Sequence, residues 1–242
     1  MQLTRMTGPD VKHFVTPHTV ALLPIGAHEQ HSSHLPVSMD IAAASAVAAM
    51  VEAGRADRTL LLPGIPYGAS DHHLGFAGTV SVGTEVLAGA LAEIVASFNA
   101  SSGVRRFLIL NGHGGNVPAM RWALDLVSRS LPSVEVRALS YWDALFDALD
   151  AAEEPRHGPM GHADRYESSI ALALWAGELD ILPGSVDGFT DGLPAWVQTS
   201  AGFHARTKAG GVGDPSGASE DEGRRYVELA AERLIRLVDE WT

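Results

Sequence analysis

The chain has no cysteine among its 242 residues, which excludes disulfides, thiolate metal ligands and a cysteine nucleophile together. Any metal must then be held by histidine and carboxylate. Basic residues are scarce, with 17 Lys and Arg against 29 Asp and Glu and a formal net charge of -12. No basic face is available to neutralise phosphates, so a nucleic-acid partner is excluded, and the acidic surface reads as solubility. Long apolar runs are also missing. Pro or Gly interrupts each one well short of the ~20 residues that span a bilayer, and Met1 to Lys12 carries no apolar leader core. A soluble cytoplasmic protein with no membrane partner is expected. There is no Gly-x-Ser-x-Gly elbow, which sets aside a serine hydrolase built on Ser70 or Ser140. What the chain does have is 46% apolar content, enough to fill one compact domain over residues 1–242.

Short apolar runs alternate with helical patterns. Val20 to Gly26 reads as a strand buried on both faces, and Ala-rich Ile41 to Ala53 as a helix with Gly54 as its C-cap. Leu60 to Leu62 reads as a second strand, followed by a Gly- and His-rich loop from Tyr67 to Thr79. A helix over Thr84 to Asn99, capped by Thr84, leads to the clearest strand, Arg106 to Leu110. A helix from Val117 to Ser130, a fourth strand from Val134 to Leu139, a helix over Glu167 to Trp175 and a last amphipathic helix over Ser219 to Trp241 complete the pattern, with Gly177 to Gly213 mostly loop. Such alternation predicts an α/β fold with a mostly parallel sheet and helices on both faces, and in such sheets ligands bind beyond the carboxyl ends of the strands.

The histidine-rich segments fall at those ends. Glu29 and His31 are two apart, so on extended chain they address one side, and Asp40 returns at the next helix start. The plainer alternative makes Glu29 a cap, His31 a loop histidine and Asp40 an N-cap. His113 lies in Asn111-Gly112-His113-Gly114-Gly115-Asn116 directly after a buried strand, where missing side chains let a ligand approach. An incidental histidine in a strand-to-helix turn is the alternative, and a phosphate loop is weak without a Walker lysine or GxGxxG spacing. His162 and Glu167 are five apart, with Glu167 at a helix start where a surface cap would also be favourable. Together these side chains form the oxygen and nitrogen set that zinc or manganese accepts.

Those segments resemble the creatininase family of metal-dependent amidohydrolases. The family carries Glu-Gln-His-Gly-x-His-Leu-Pro followed by an Asp, then Asn-Gly-His-Gly-Gly-Asn, then His-Ala-Gly-x-x-Glu-Thr-Ser. Further agreement lies in Tyr67-Gly68-x-Ser70-x-x-His73-x-x-Phe76-x-Gly78-Thr79 and in Gly211-Val212-x-Asp214-Pro215 with Gly223 beyond, so that the match spans nearly the whole chain. The resemblance implies a three-layer α/β/α sandwich, a ring-like homohexamer and two divalent ions per subunit, zinc or manganese with iron as a third option. Glu29, His31, Asp40 and His113 match family ligands, Asp40 bridging both ions. In creatininase itself a Glu two residues after the motif histidine binds the second ion; that position is Gly115 here, and Glu167 is the candidate to complete the shell. His162 matches the histidine that transfers a proton to the leaving nitrogen, and Trp142 an aromatic that covers the substrate ring. Tyr67, Ser70, His73 and His34 are expected to line the substrate site. Two departures stand out: Ser32-Ser33 replaces Gly-Pro, and Gly158 replaces a second covering tryptophan, which argues against creatinine itself.

The expected reaction is hydrolysis of a C–N amide bond by hydroxide held between two ions about 3.5 to 4 Å apart. Substrates in view are a cyclic amide, a formamide on a heterocycle, or a short peptide. The alternatives are creatinine amidohydrolase proper, a peptidase of the mycofactocin-maturation type, and a non-catalytic binding module on the same scaffold.

Overall fold

A computed structural model describes residues 1–179, 186–193, 197 and 199–241. Its centre is a four-stranded, wholly parallel sheet in the order β2-β1-β3-β4, where β1 is Val20–Ile25, β2 Thr59–Leu61, β3 Arg106–Asn111 and β4 Glu135–Ser140. All six residues of β1 are buried, as befits a central strand covered on both faces. Alternate side chains feed two cores. Val20, Leu22, Leu108 and Leu110 face one cluster with helices α2 (Met39–Gly54), α5 (Tyr141–Ala151), α6 (Arg165–Leu174) and α7 (Glu220–Asp239). Ala21, Leu23, Ile25, Phe107 and Ile109 face the other, with α3 (Thr84–Ser102) and α4 (Val117–Ser130). The three-layer α/β/α sandwich expected from the sequence is therefore present. Pro24 has no N–H to give, but it lies level with the chain beyond the end of β2, where its carbonyl still accepts from the Ile65 N–H.

Several boundaries differ from the sequence reading, each for a local reason. Helix α2 begins at Met39 with Ser38 as N-cap, so Asp40 lies in the first turn and does not cap it; the helix runs through Gly54 to an Arg55 cap. Thr84 makes no cap, and α3 starts after Gly83 at φ 72. Helix α5 follows β4 immediately, started by Asp143 accepting from the Ser140 N–H; only its opening residues were singled out in the sequence. A short N-terminal α1 (Gly8–Phe14), set by a Thr7–Asp10 capping box, also escaped the sequence reading. Between Gly177 and Gly213 the described residues form only a 3₁₀ turn at Phe203–Ala205 and isolated bridges, in keeping with the loop expected there.

The register fixes where chemistry can occur. Ile25, Asn111 and Ser140 lie side by side, so β1, β3 and β4 end on one line and release Gly26 to Glu29, Gly112–His113 and Tyr141–Trp142 onto the same rim. Two glycines bring α2 to that rim. A Cβ on Gly26 would lie 2.4 Å from the Ile41 nitrogen, and one on Gly112 would lie 2.1 Å from the Asp40 carbonyl oxygen. Their bare backbones let the first turn of α2 carry Asp40 between the two strand ends. No described helix is long and apolar enough to cross a membrane.

Candidate metal centre

Three carboxylates and four imidazoles meet at the rim. The His113 Nδ1 atom lies 3.2 Å from Glu29 Oε1 and 3.2 Å from Asp40 Oδ2. His31 Nε2 lies 3.1 Å from Asp40 Oδ1 and 3.8 Å from Glu167 Oε1. Asp40 thus turns one oxygen to each half of the cluster. His162 Nδ1 lies 3.8 Å and His73 Nε2 3.4 Å from Glu29 Oε1. Glu29 and His31 are wholly inaccessible, at 0% exposure.

Each ring's far nitrogen is tied down, which fixes what the near nitrogen can do. His31 Nδ1–H donates to the Glu29 carbonyl at 3.1 Å, and His113 Nε2–H to the Ala69 carbonyl at 3.2 Å with Ser70 Oγ beside it at 3.3 Å. Both arrangements leave the inward nitrogen as a lone pair once its proton is lost, the tautomer that metal-binding histidines use. His162 Nε2–H donates to the Gln30 carbonyl at 2.8 Å. The Gln30 side chain is oriented by the Ser32 N–H on its oxygen, so its amide N–H groups donate to Gly210 O and to His73 Nδ1 at 2.7 Å. His73 therefore presents Nε2–H to Glu29. Glu167 is held by the Ala163 N–H, and Ala163 itself adopts φ 53, a strained left-handed conformation between His162 and the Asp164 N-cap of α6.

In the absence of a cation, the buried carboxylates are balanced by protons on the neighbouring imidazoles. Burial alone would raise the Glu29 and Asp40 carboxyls, yet the His113 ring beside Glu29 and the His31 ring beside Asp40 hold both below the usual carboxylate range. Burial opposes charge on His31, but Asp40 and Glu167 outweigh it and raise the ring to about 10; His113 is likewise raised by Glu29 and Asp40. Glu167 is pushed up to about 8 by burial. His73 falls to about 2 and His162 to about 4, burial being the main cause in both, so these two rings are neutral at neutral pH. Both oxygens of Glu29 and Oδ2 of Asp40 are nonetheless buried without a hydrogen-bond partner among the described residues. Such oxygens are costly to bury unless a cation meets them. Three sets of donor atoms lie within 4.8 Å of one another: Glu29, His72 and His113; Glu29, His31 and His162; and His31, Asp40 and Glu167. Divalent cations fit this donor set, replacing the charge that His31 and His113 otherwise carry as protons.

The cluster floors a cavity of about 220 Å³ whose walls include Trp142, Met160, His72, His73 and Phe203. Glu29, Asp40, His113, His162, Glu167, His73 and Trp142 all reach that cavity. Three residues expected on the substrate side stand elsewhere. Ser70 is buried behind His113, His34 is turned away with Nε2 3.0 Å from Ser168 Oγ, and Tyr67 is 46% exposed against His28. Three of these wall residues, His72, Met160 and Phe203, were missed in the sequence. Phe203 lies 4.3 Å from the His73 ring and edge-on to His162 at 5.7 Å, and His72 stacks parallel to His113 at 5.5 Å. The His72-His73 pair was a visible signal for His72; for Phe203, in a loop far along the chain, there was none. Ser32, where the family has Gly, adopts φ 53, so the departure keeps the loop's left-handed turn at the cost of strain.

The family model described as creatinine amidohydrolase matches residues 4–238. The mycofactocin precursor peptide peptidase of Mycobacterium tuberculosis (strain CDC 1551 / Oshkosh) is 34% identical over 232 residues, covering 91% of this chain and 84% of the relative. The creatinine amidohydrolase of Pseudomonas putida is 29% identical over 241 residues, covering 91% and 89%. Among solved structures, a mutant creatininase of the Zn-Zn type matches with a TM-score of 0.84 at 26% identity, covering 99% of this chain and 97% of that one.

Proposed function

The chain belongs to the creatininase family of hydrolases, and from that premise we propose that it cleaves a C–N amide bond with two divalent ions, zinc or manganese, at the sheet rim. The observation that carries this reading is the set of three buried carboxylate oxygens with no hydrogen-bond partner, faced by imidazoles whose outer nitrogens are anchored. Glu29 and His113 would hold one ion, His31 and Glu167 the other, with Asp40 a ligand of both. When bound, the ions polarise an amide carbonyl, acidify water and stabilise the charge that develops on the carbonyl oxygen. His162, neutral and with Nδ1 toward the cavity, would take at Nδ1 the proton lost by the attacking water and pass it to the departing nitrogen as the C–N bond breaks. Gln30 orients His73, whose Nε2–H in turn steadies Glu29.

The substrate we propose is a linear amide such as the end of a short peptide, in preference to creatinine. Gly158 leaves open space where the family's second covering aromatic would stand, and nothing lies within 4 Å of its Cβ direction. The similarity to a peptidase at 34% identity favours the same choice. We further propose the homohexamer of the family as the working assembly. The test is a panel of short peptides, formamides and creatinine, assayed on chelator-stripped protein with and without zinc or manganese. Metal-dependent release of amine from peptides is expected; turnover that survives complete metal removal contradicts the reading.

A further inference from the structure

The histidines of the rim are not equivalent. His31, His73, His113 and His162 each have a ring nitrogen tied to a carbonyl or amide, whereas the half-buried His72 makes no hydrogen bond among the described residues. One of its nitrogens nevertheless lies within 4.8 Å of a Glu29 oxygen and a His113 nitrogen. We infer that His72 is a ligand of the ion held by Glu29 and His113, an assignment that rests on the two-ion reading and adds a residue to it.

Gly115 supplies the second observation. A Cβ at Gly115 would sit 2.7 Å from His72 Cε1, 2.4 Å from His113 Nε2 and 2.3 Å from the Ala69 carbonyl oxygen. A side chain at Gly115 would meet the Ala69 carbonyl and both rings, so no carboxylate is offered from Gly115, and the His72 imidazole, carried by the 3₁₀ turn Asp71–His73, lies beside that position. Donors around a tetrahedral ion with bonds of about 2.0 to 2.1 Å stand roughly 3.3 Å apart. The donor atoms already lie within 4.8 Å of one another, and the His72 ring has no hydrogen bond among the described residues to break on closing up.

The consequence is chemical asymmetry. With His72 the first ion sees two imidazoles, Glu29 and an Asp40 oxygen, while the second sees one imidazole and two carboxylates. Imidazole-rich sets suit zinc, and carboxylate-rich sets accommodate manganese.

Chelator competition on the full chain tests this, comparing wild type with His72→Ala and His72→Glu. Wild type is expected to bind two zinc ions. In His72→Ala one of the two should weaken by about 100-fold or more, because groups that only orient a ligand already cost 10- to 100-fold, while the other holds. His72→Glu should again bind two ions, with competition at the first site shifted toward manganese. Cobalt-loaded His72→Ala should lose part of the visible absorption of one ion only. If the metal-free Ala variant does not melt as wild type does, His72→Gln takes its place. Unchanged affinity for both ions in a folded variant overturns the assignment. Wild type binding fewer than two ions overturns the two-ion reading and the ligand with it, a result visible before any variant is made.

Discussion

The floor and the roof of the cavity are built on different principles. The floor, from Glu29 through Asp40 to His113, is set by three aligned strand ends and two bare glycine backbones, and its side chains are buried and charged. The roof, from Met160 to Ala163 and the described residues between Asp187 and Gly213, is built from loop and held by tethers that include the His162–Val212 bridge, the Gln30 amide on Gly210, and the Asp187 carboxylate. A floor residue cannot move without disturbing the sheet, so it suits ions whose ligands must be placed within tenths of an ångström. A roof built from loop suits parts that admit and release substrate.

That contrast is breakable. The largest effect is expected at the floor: Asp40→Ala should remove both ions and reduce turnover by about 10³-fold or more, since metal ions supply several kcal/mol of charge stabilisation. Metal analysis beside a rate assay checks it, and retention of two ions would show that Asp40 is not shared. His162→Ala, in the roof, should keep both ions and lower kcat by about 10²- to 10⁴-fold; a normal rate would remove its role in proton transfer.

Smaller effects follow at the tethers. Asp187 accepts from the N–H groups of Ala209, Gly188, Lys208 and Gly211, and although burial opposes it, these bonds lower its pKa below 3.8. Its contribution is therefore present above the unfolded value and lost as pH falls through the folded one, so the roof should loosen only below about pH 4. Asp187→Asn at neutral pH should mimic that loss, speeding hydrogen exchange at Ala209 and Gly211 about tenfold while leaving metal content unchanged. The smallest effect is a gain: Ser32→Gly should relieve the φ 53 strain and an unpartnered buried hydroxyl, raising stability by about 1 kcal/mol and Tm by roughly 2 to 4 °C. A lower Tm would mean that Ser32 makes a contact of its own.

The same contrast explains what the sequence discloses. Floor residues stand where buried apolar runs stop, so Glu29, Asp40 and His113 were legible from position and residue type, as were the parallel sheet and most helices. Roof residues depend on turns whose direction no periodicity encodes. Phe203 sits in a loop far from any strand, and its place over His73 exists only in three dimensions. His72 and His73 are neighbours, and only the 3₁₀ turn decides that His73 goes to Glu29 and Gln30 while His72 stacks on His113. Ser70, His34 and Tyr67 share motifs with cavity residues, yet the chain turns them behind the site or out to solvent. Helix α5 was missed because Trp142 drew notice as a site residue, ahead of the Asp143 cap that starts the helix.

The account turns on whether the unpartnered oxygens of Glu29 and Asp40 meet cations. Elemental analysis of protein purified without chelator, expressed as ions per chain, tests this most directly. Two equivalents of zinc or manganese are expected, falling toward none in Asp40→Ala; a wild-type chain with no bound divalent metal, even after incubation with excess zinc and manganese, would contradict it.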